Sequence, residues 1–164
     1  MEELGTFFQR LASLGFNPTW QGPNGTGSSV STQSGYQNST GSATLIGTPV
    51  AQGTGANFVL LDVTNEATVS AFLGLSATAI PASTTGQIAS DGRVQNIDAS
   101  FGFSVGDPVY AGLTPGSLTN VKPDTTQPGW TSGMFVIFIG VVVQNQFSPS
   151  NQDIQIFKQI IGQL

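Results

Sequence analysis

The chain has 164 residues and a mass of 17.0 kDa, enough for one domain whose core buries roughly two-thirds of the unfolded surface. It contains neither Cys nor His, which excludes thiol chemistry, zinc ribbons, iron–sulfur clusters, a disulfide framework and the usual histidine-dependent hydrolases. Four Lys and Arg face nine Asp and Glu, for a net charge of −5, so nucleic acid and anionic membranes do not find the cationic clusters they need.

The first predicted element covers residues 2–14. Leu4, Phe7, Phe8, Leu11 and Leu14 recur at helical spacing and form one apolar stripe. Glu2 and Glu3 stand where the helix dipole favours anions, and Gly15 stands at the position of a left-handed cap. The stripe can pack on the chain's own β domain or on another subunit. The segment that follows, Phe16 to about Tyr36, carries Asn17-Pro18, Gly22-Pro23, Asn24-Gly25 and Gly27-Ser28-Ser29, all loop signals. So long an aperiodic stretch is unusual inside a compact domain, and it reads as an extended arm with Trp20 as its anchor. Residues 1–36 are therefore expected to form a short amphipathic helix and arm, and residues 37–164 a β domain. Met1-Glu2-Glu3 is acidic where a secretory leader would be basic.

Short strands with frequent turns are expected from Tyr36 onward. Candidates are Ser42 to Val50, Asn57 to Val63, Gln87 to Ser90, Arg93 to Ile97, Phe101 to Val105, Val109-Tyr110, Phe135 to Val143 and Asp153 to Ile161. Val69 to Leu75 fits a strand or a helical turn equally. Ala79-Ile80-Pro81 suits an edge or loop, because Pro cannot donate to a ladder. Asp91-Gly92 reads as a hairpin turn between its flanking strands. The run Met134 to Val143 is far shorter than the ~20 residues of a membrane-crossing helix and reads as a core strand. The expected fold is mainly β, a compact β-barrel or β-sandwich.

No residue set offers catalysis. Asp91, Asp98 and Asp107 are close in sequence, but their spacing fits no calcium loop, and no pair stands out as the two carboxylates of a glycosidase. Asp91 and Asp107 are better explained by turns before Gly92 and Pro108. The glycine loops at residues 22–27 and 53–55 lack the Lys and the strand–loop–helix context of a phosphate site. Trp20, Tyr36, Tyr110 and Trp130 could line a sugar-binding face, although isolated aromatics beside turns more often cap a core or sit in an interface. Asn24-Gly25-Thr26 and Asn38-Ser39-Thr40 match glycosylation acceptors, and in a chain so rich in Asn, Ser and Thr they read as chance matches. The low charge points to a surface covered by neighbours inside an assembly.

Three motifs close the chain: Gly106-Asp-Pro-Val-Tyr110, Gly116-Ser-Leu-Thr-Asn-Val-Lys-Pro123 and Phe135-Val-Ile-Phe-Ile-Gly-Val-Val-Val143. With them, the stretch from Phe101 to Leu164 resembles structural proteins of tailed-bacteriophage virions, where such modules occur in head decoration (cement) proteins and in fibre or tail proteins. The resemblance implies a structural virion protein without catalysis or cofactor. Size favours a capsid decoration protein on the outside of the head, made in the host cytoplasm. Its implied partners are the major capsid protein and further copies of itself, as trimers at symmetry axes. Leu4, Phe7, Phe8, Leu11, Leu14 and Trp20 are the expected interface residues. The alternative is a head-fibre or tail component that binds host surface glycans.

Overall fold

The computed structural model describes residues 30–164. Its strands are β1 (Thr32–Asn38), β2 (Pro49–Gln52), β3 (Asn57–Leu60), β4 (Phe72–Ser76), β5 (Thr85–Ala89), β6 (Gly92–Val94), β7 (Pro108–Ala111), β8 (Leu118–Thr119), β9 (Phe135–Gln144) and β10 (Gln152–Gln163). One short helix, α1 (Glu66–Ser70), and a 3-10 turn over Ala99–Phe101 interrupt them. The fold is mainly β, as expected. It consists of a closed barrel in the order β1-β3-β2-β4-β5 and a five-stranded sheet in the order β6-β10-β9-β7-β8.

Strand alternation explains how the two sheets share a core. In β2, Val50 packs with Phe58, Ile80 and Ile88 in a small cluster, while its neighbour Ala51 belongs to the large one. Ile88 and Ala89 of β5 divide in the same way. Successive side chains point to opposite faces of a strand, so the barrel strands fill one core with one face and meet the second sheet with the other. The large cluster joins Leu61, Val63, Leu75 and Ala89 to Val109, Ile137, Ile139, Val142 and Ile154 of the second sheet. Each of these is essentially inaccessible, and each contributes about 1.5–3 kcal/mol if a Val, Leu or Ile.

Several expectations are corrected. Ser42 to Val50 is not one strand: Thr44 makes an isolated bridge to Ile80, and pairing resumes only at Pro49. Phe101 to Val105 is no strand, because Asp98 caps the 3-10 turn and Gly102 ends it in the left-handed conformation. Asp91-Gly92 does not join a hairpin. β5 before it belongs to the barrel and β6 after it to the second sheet, so the turn carries the chain from one sheet to the other. Val69 to Leu75 is both options in sequence, with α1 capped by the Asn65 side chain and then β4. β1 begins at Thr32, inside the stretch read as arm, because Thr32 to Gln37 pairs with β5.

Candidate interaction surface

The expected interface residues Leu4, Phe7, Phe8, Leu11, Leu14 and Trp20, and the helix and arm that carry them, lie outside the described residues. The three carboxylates Asp91, Asp98 and Asp107 do not converge on one site; Asp98 and Asp107 each serve their own turn, and Asp91 holds a backbone group 60 positions away. Asp91 accepts from the Ser31 N–H at 3.1 Å. Asp98 is held below its ordinary value of 3.8 by hydrogen bonds from the Ser100 hydroxyl and backbone N–H. Asp107 is lowered likewise by the Ser104 N–H and then the Asn120 amide. Asp124 is lowered by the Thr126 hydroxyl and N–H. A carboxylate that accepts hydrogen bonds is favoured in its charged form. Among the described residues no group of three acidic side chains is placed to hold a metal ion.

The aromatics are also dispersed. Trp130 is buried in the large core, Tyr110 lies against Phe138 in the second sheet, and Tyr36 packs on the small cluster of the barrel. These three form no common face, and Trp20 lies outside the described residues. Asn38, the Asn of one acceptor match, is 1% exposed, and its amide donates to the Ser42 and Ile80 carbonyls at 2.8 and 2.9 Å. That side chain organises a turn.

A different surface stands out on the hairpin formed by β9 and β10. The two strands pair from Gln152↔Gln144 to Gln163↔Phe135, with register shifts between Ile156 and Gln159 and between Ile160 and Gly162. They approach closely at Gly140, where a Cβ would fall on the Gln155 carbonyl, so the glycine permits the pairing. On its other side β10 is covered by β6 only from Ile154 to Ile156. Beyond that point, among the described residues, it is a sheet edge. There Phe157 is 60% exposed and Ile160 and Ile161 are each 48% exposed. Phe157 stacks on Phe138 at 6.3 Å between ring centres, and Phe138 meets Tyr110 at 5.4 Å. A ladder of three aromatic rings therefore crosses three strands and leads into the exposed edge.

The charges that would normally protect such an edge are turned away from it. Native edges are commonly guarded by a Lys. Here Lys158, at a left-handed φ of 39° in the bulge, reaches back to the barrel. Its Nζ donates to the Phe72 and Leu73 carbonyls at 3.1 and 3.3 Å and lies over the Phe72 ring. Asp153, the remaining charged residue of β10, is 1% exposed and pairs with Arg93, Nε to Oδ2 at 2.8 Å. Its Oδ1 accepts from the Asn96 N–H at 2.9 Å and the Asn145 amide at 2.8 Å. Asn145 in turn accepts from the N–H groups of Phe147 and Ser148. This buried hub fixes the loop between β9 and β10 to β6, and so fixes the hairpin.

Sequence reasoning missed Phe157, Ile160 and Ile161 as surface residues. A signal was present for Phe157 alone: with Ile154 and Ile156 inward at period 2, the residue next to Ile156 points the other way, whereas Ile160 and Ile161 lie beyond the first register shift. No protein-family model matches the chain, and neither a curated protein nor a solved structure matches it.

Proposed function

We propose that this chain is a structural component of a tailed-phage virion, a decoration protein on the outside of the capsid. One observation carries the reading: among the described residues an edge bearing Phe157, Ile160 and Ile161, its one cation Lys158 tied back to the barrel, lies bare on an acidic, charge-poor chain. Exposed apolar surface of this kind marks sites where another protein packs. The two register shifts twist the edge away from regular strand addition, so the contact is made by side chains. The partners are the major capsid protein and further copies of this chain, three around a symmetry axis. The N-terminal stripe of Leu4, Phe7, Phe8, Leu11 and Leu14, with Trp20, provides a second contact to a neighbour. The mechanism is mechanical and uses no cofactor and no catalysis. A specific contact buries about 1,600 Å², and many such contacts across capsomer boundaries raise the free energy of opening the shell.

The test is binding of the purified chain to shells stripped of it. Phe157→Asp with Ile161→Asp places two charges on exposed positions; losing the stacking of Phe157 on Phe138 should lower the melting temperature by only a few degrees and leave the chain folded. Affinity for the shell should fall by at least about tenfold, the loss typical of a truncated hot spot. Undiminished binding of the folded double variant would remove the hairpin edge from the contact.

A further inference from the structure

We infer that the barrel carries a binding cleft for a single neutral sugar ring, built around Tyr36. The cleft arises from a break in pairing. β1 pairs with β3 only at Gln37↔Asn57 and Asn38↔Phe58, and a bulge interrupts its register with β5 between Ser34 and Tyr36. Upstream of Gln37 the strand therefore separates from the turn between β2 and β3. The hydrogen bond from the Gln37 N–H to the Ala56 carbonyl, 2.8 Å, closes the inner end. What remains is an open cleft of about 330 Å³ lined by Ser34, Gly35, Tyr36, Gln52, Gly55 and Ala56. That volume lies at the lower end of the ~300–1,000 Å³ of small-molecule sites.

The lining selects the ligand class. Tyr36 is partly buried and packs on the cluster of Val50, Phe58, Ile80 and Ile88. Bulges re-aim side chains, and the one between Ser34 and Tyr36 sits at the cleft, where the Tyr36 side chain both lines the opening and packs on the barrel core. Gly35, at a φ of 93°, and Gly55 leave the walls open, since a Cβ at either meets nothing within 4 Å. No charged residue lines the cleft, so an ionic ligand would find no counter-charge for its desolvation. Among the described residues the hydroxyls of Ser34 and Tyr36 have no hydrogen-bond partner, and Gln52 directs its Nε2 to the Gly55 carbonyl at 3.4 Å, leaving its Oε1 to accept. An aromatic face with neutral donors and acceptors at its rim matches a sugar ring, whose C–H face carries the slight positive charge that the π face attracts and whose hydroxyls are uncharged.

The experiment is a titration of the isotopically labelled full chain, followed by amide NMR shifts. The probes are methyl glucoside, methyl galactoside and N-acetylglucosamine. At least one should give saturable shifts confined to residues 34–37 and 52–57, with a Kd on the order of 1–10 mM. Tyr36→Phe should stay within a few-fold of this value, and Tyr36→Ala should weaken binding by at least about tenfold. Ala56→Arg, at an exposed position, fills the cleft without touching the Tyr36 packing and should abolish the shifts even if Tyr36→Ala fails to fold. The inference is overturned if no probe gives saturable shifts there, or if folded Ala56→Arg binds as well as the unaltered chain. Neither outcome bears on shell binding through the β9–β10 edge, which is measured separately.

Discussion

Replacing Asp153 with Ala tests whether the buried hub holds the hairpin in place. The carboxylate is 1% exposed and Arg93 only 15%, so the truncation leaves a largely buried guanidinium without its partner. It also strands the Asn96 N–H and the Asn145 amide, which now donate at 2.9 and 2.8 Å. Breaking a buried ion pair by removing one member costs about 3–5 kcal/mol. Against a total stability of about 5–15 kcal/mol, that is a large fraction, equivalent to a melting temperature lower by roughly 6–20 °C. Asp153→Asn keeps an acceptor while losing the charge, and should fall between the two. Arg93→Met combined with Asp153→Leu removes both charges and should recover much of the loss. Denaturant unfolding with an unchanged slope is the assay. A cost below about 1 kcal/mol for Asp153→Ala would mean that the pair behaves like a surface bridge, and the hub account would be wrong.

Gly140→Ala puts a Cβ against the Gln155 carbonyl, whose carbon would lie 2.9 Å away, so the paired backbones must separate. The expected cost is about 1–3 kcal/mol, with faster hydrogen exchange concentrated on β9 and β10; unchanged exchange would contradict the close approach. The folded-state values of Asp98, Asp107 and Asp124 are depressed, so the stability they contribute is present above the ordinary value of 3.8 and is lost as pH falls through the lowered values. The variant with all three changed to Asn should therefore lose less stability on acidification than the unaltered chain. Identical acid profiles from thermal melts would count against it.

The parts of the fold that could be read from the sequence are those governed by local rules. The apolar run at Phe135 to Val143 became β9, Val109-Tyr110 became the centre of β7, and Asp107 took the turn role that its position before Pro108 indicated. Pairing partners were not legible, because period 2 fixes a strand's faces but not its neighbour. Asp91-Gly92 signalled a reversal, and the chain does turn there, yet it changes sheets instead of closing a hairpin. The Ser42 to Val50 stretch read as one strand, but Leu45 is 43% exposed and before Pro49 only Thr44 finds a bridge. The hub was invisible for a related reason. Asn96 and Asp153 lie 57 positions apart, and nothing local marks Asn145 as their common partner. The bulges that expose Ile160 and leave Phe157 bare likewise depend on where β6 ends.

The central claim, that this chain is a repeated part of a virion shell, is tested most directly by its copy number in purified virions. Quantitative mass spectrometry against the most abundant shell protein gives that number. Hundreds of copies in a simple ratio to the shell protein are expected of a decoration protein. A handful per particle would place the chain in the tail or a vertex fibre, and absence from the virion would contradict the account.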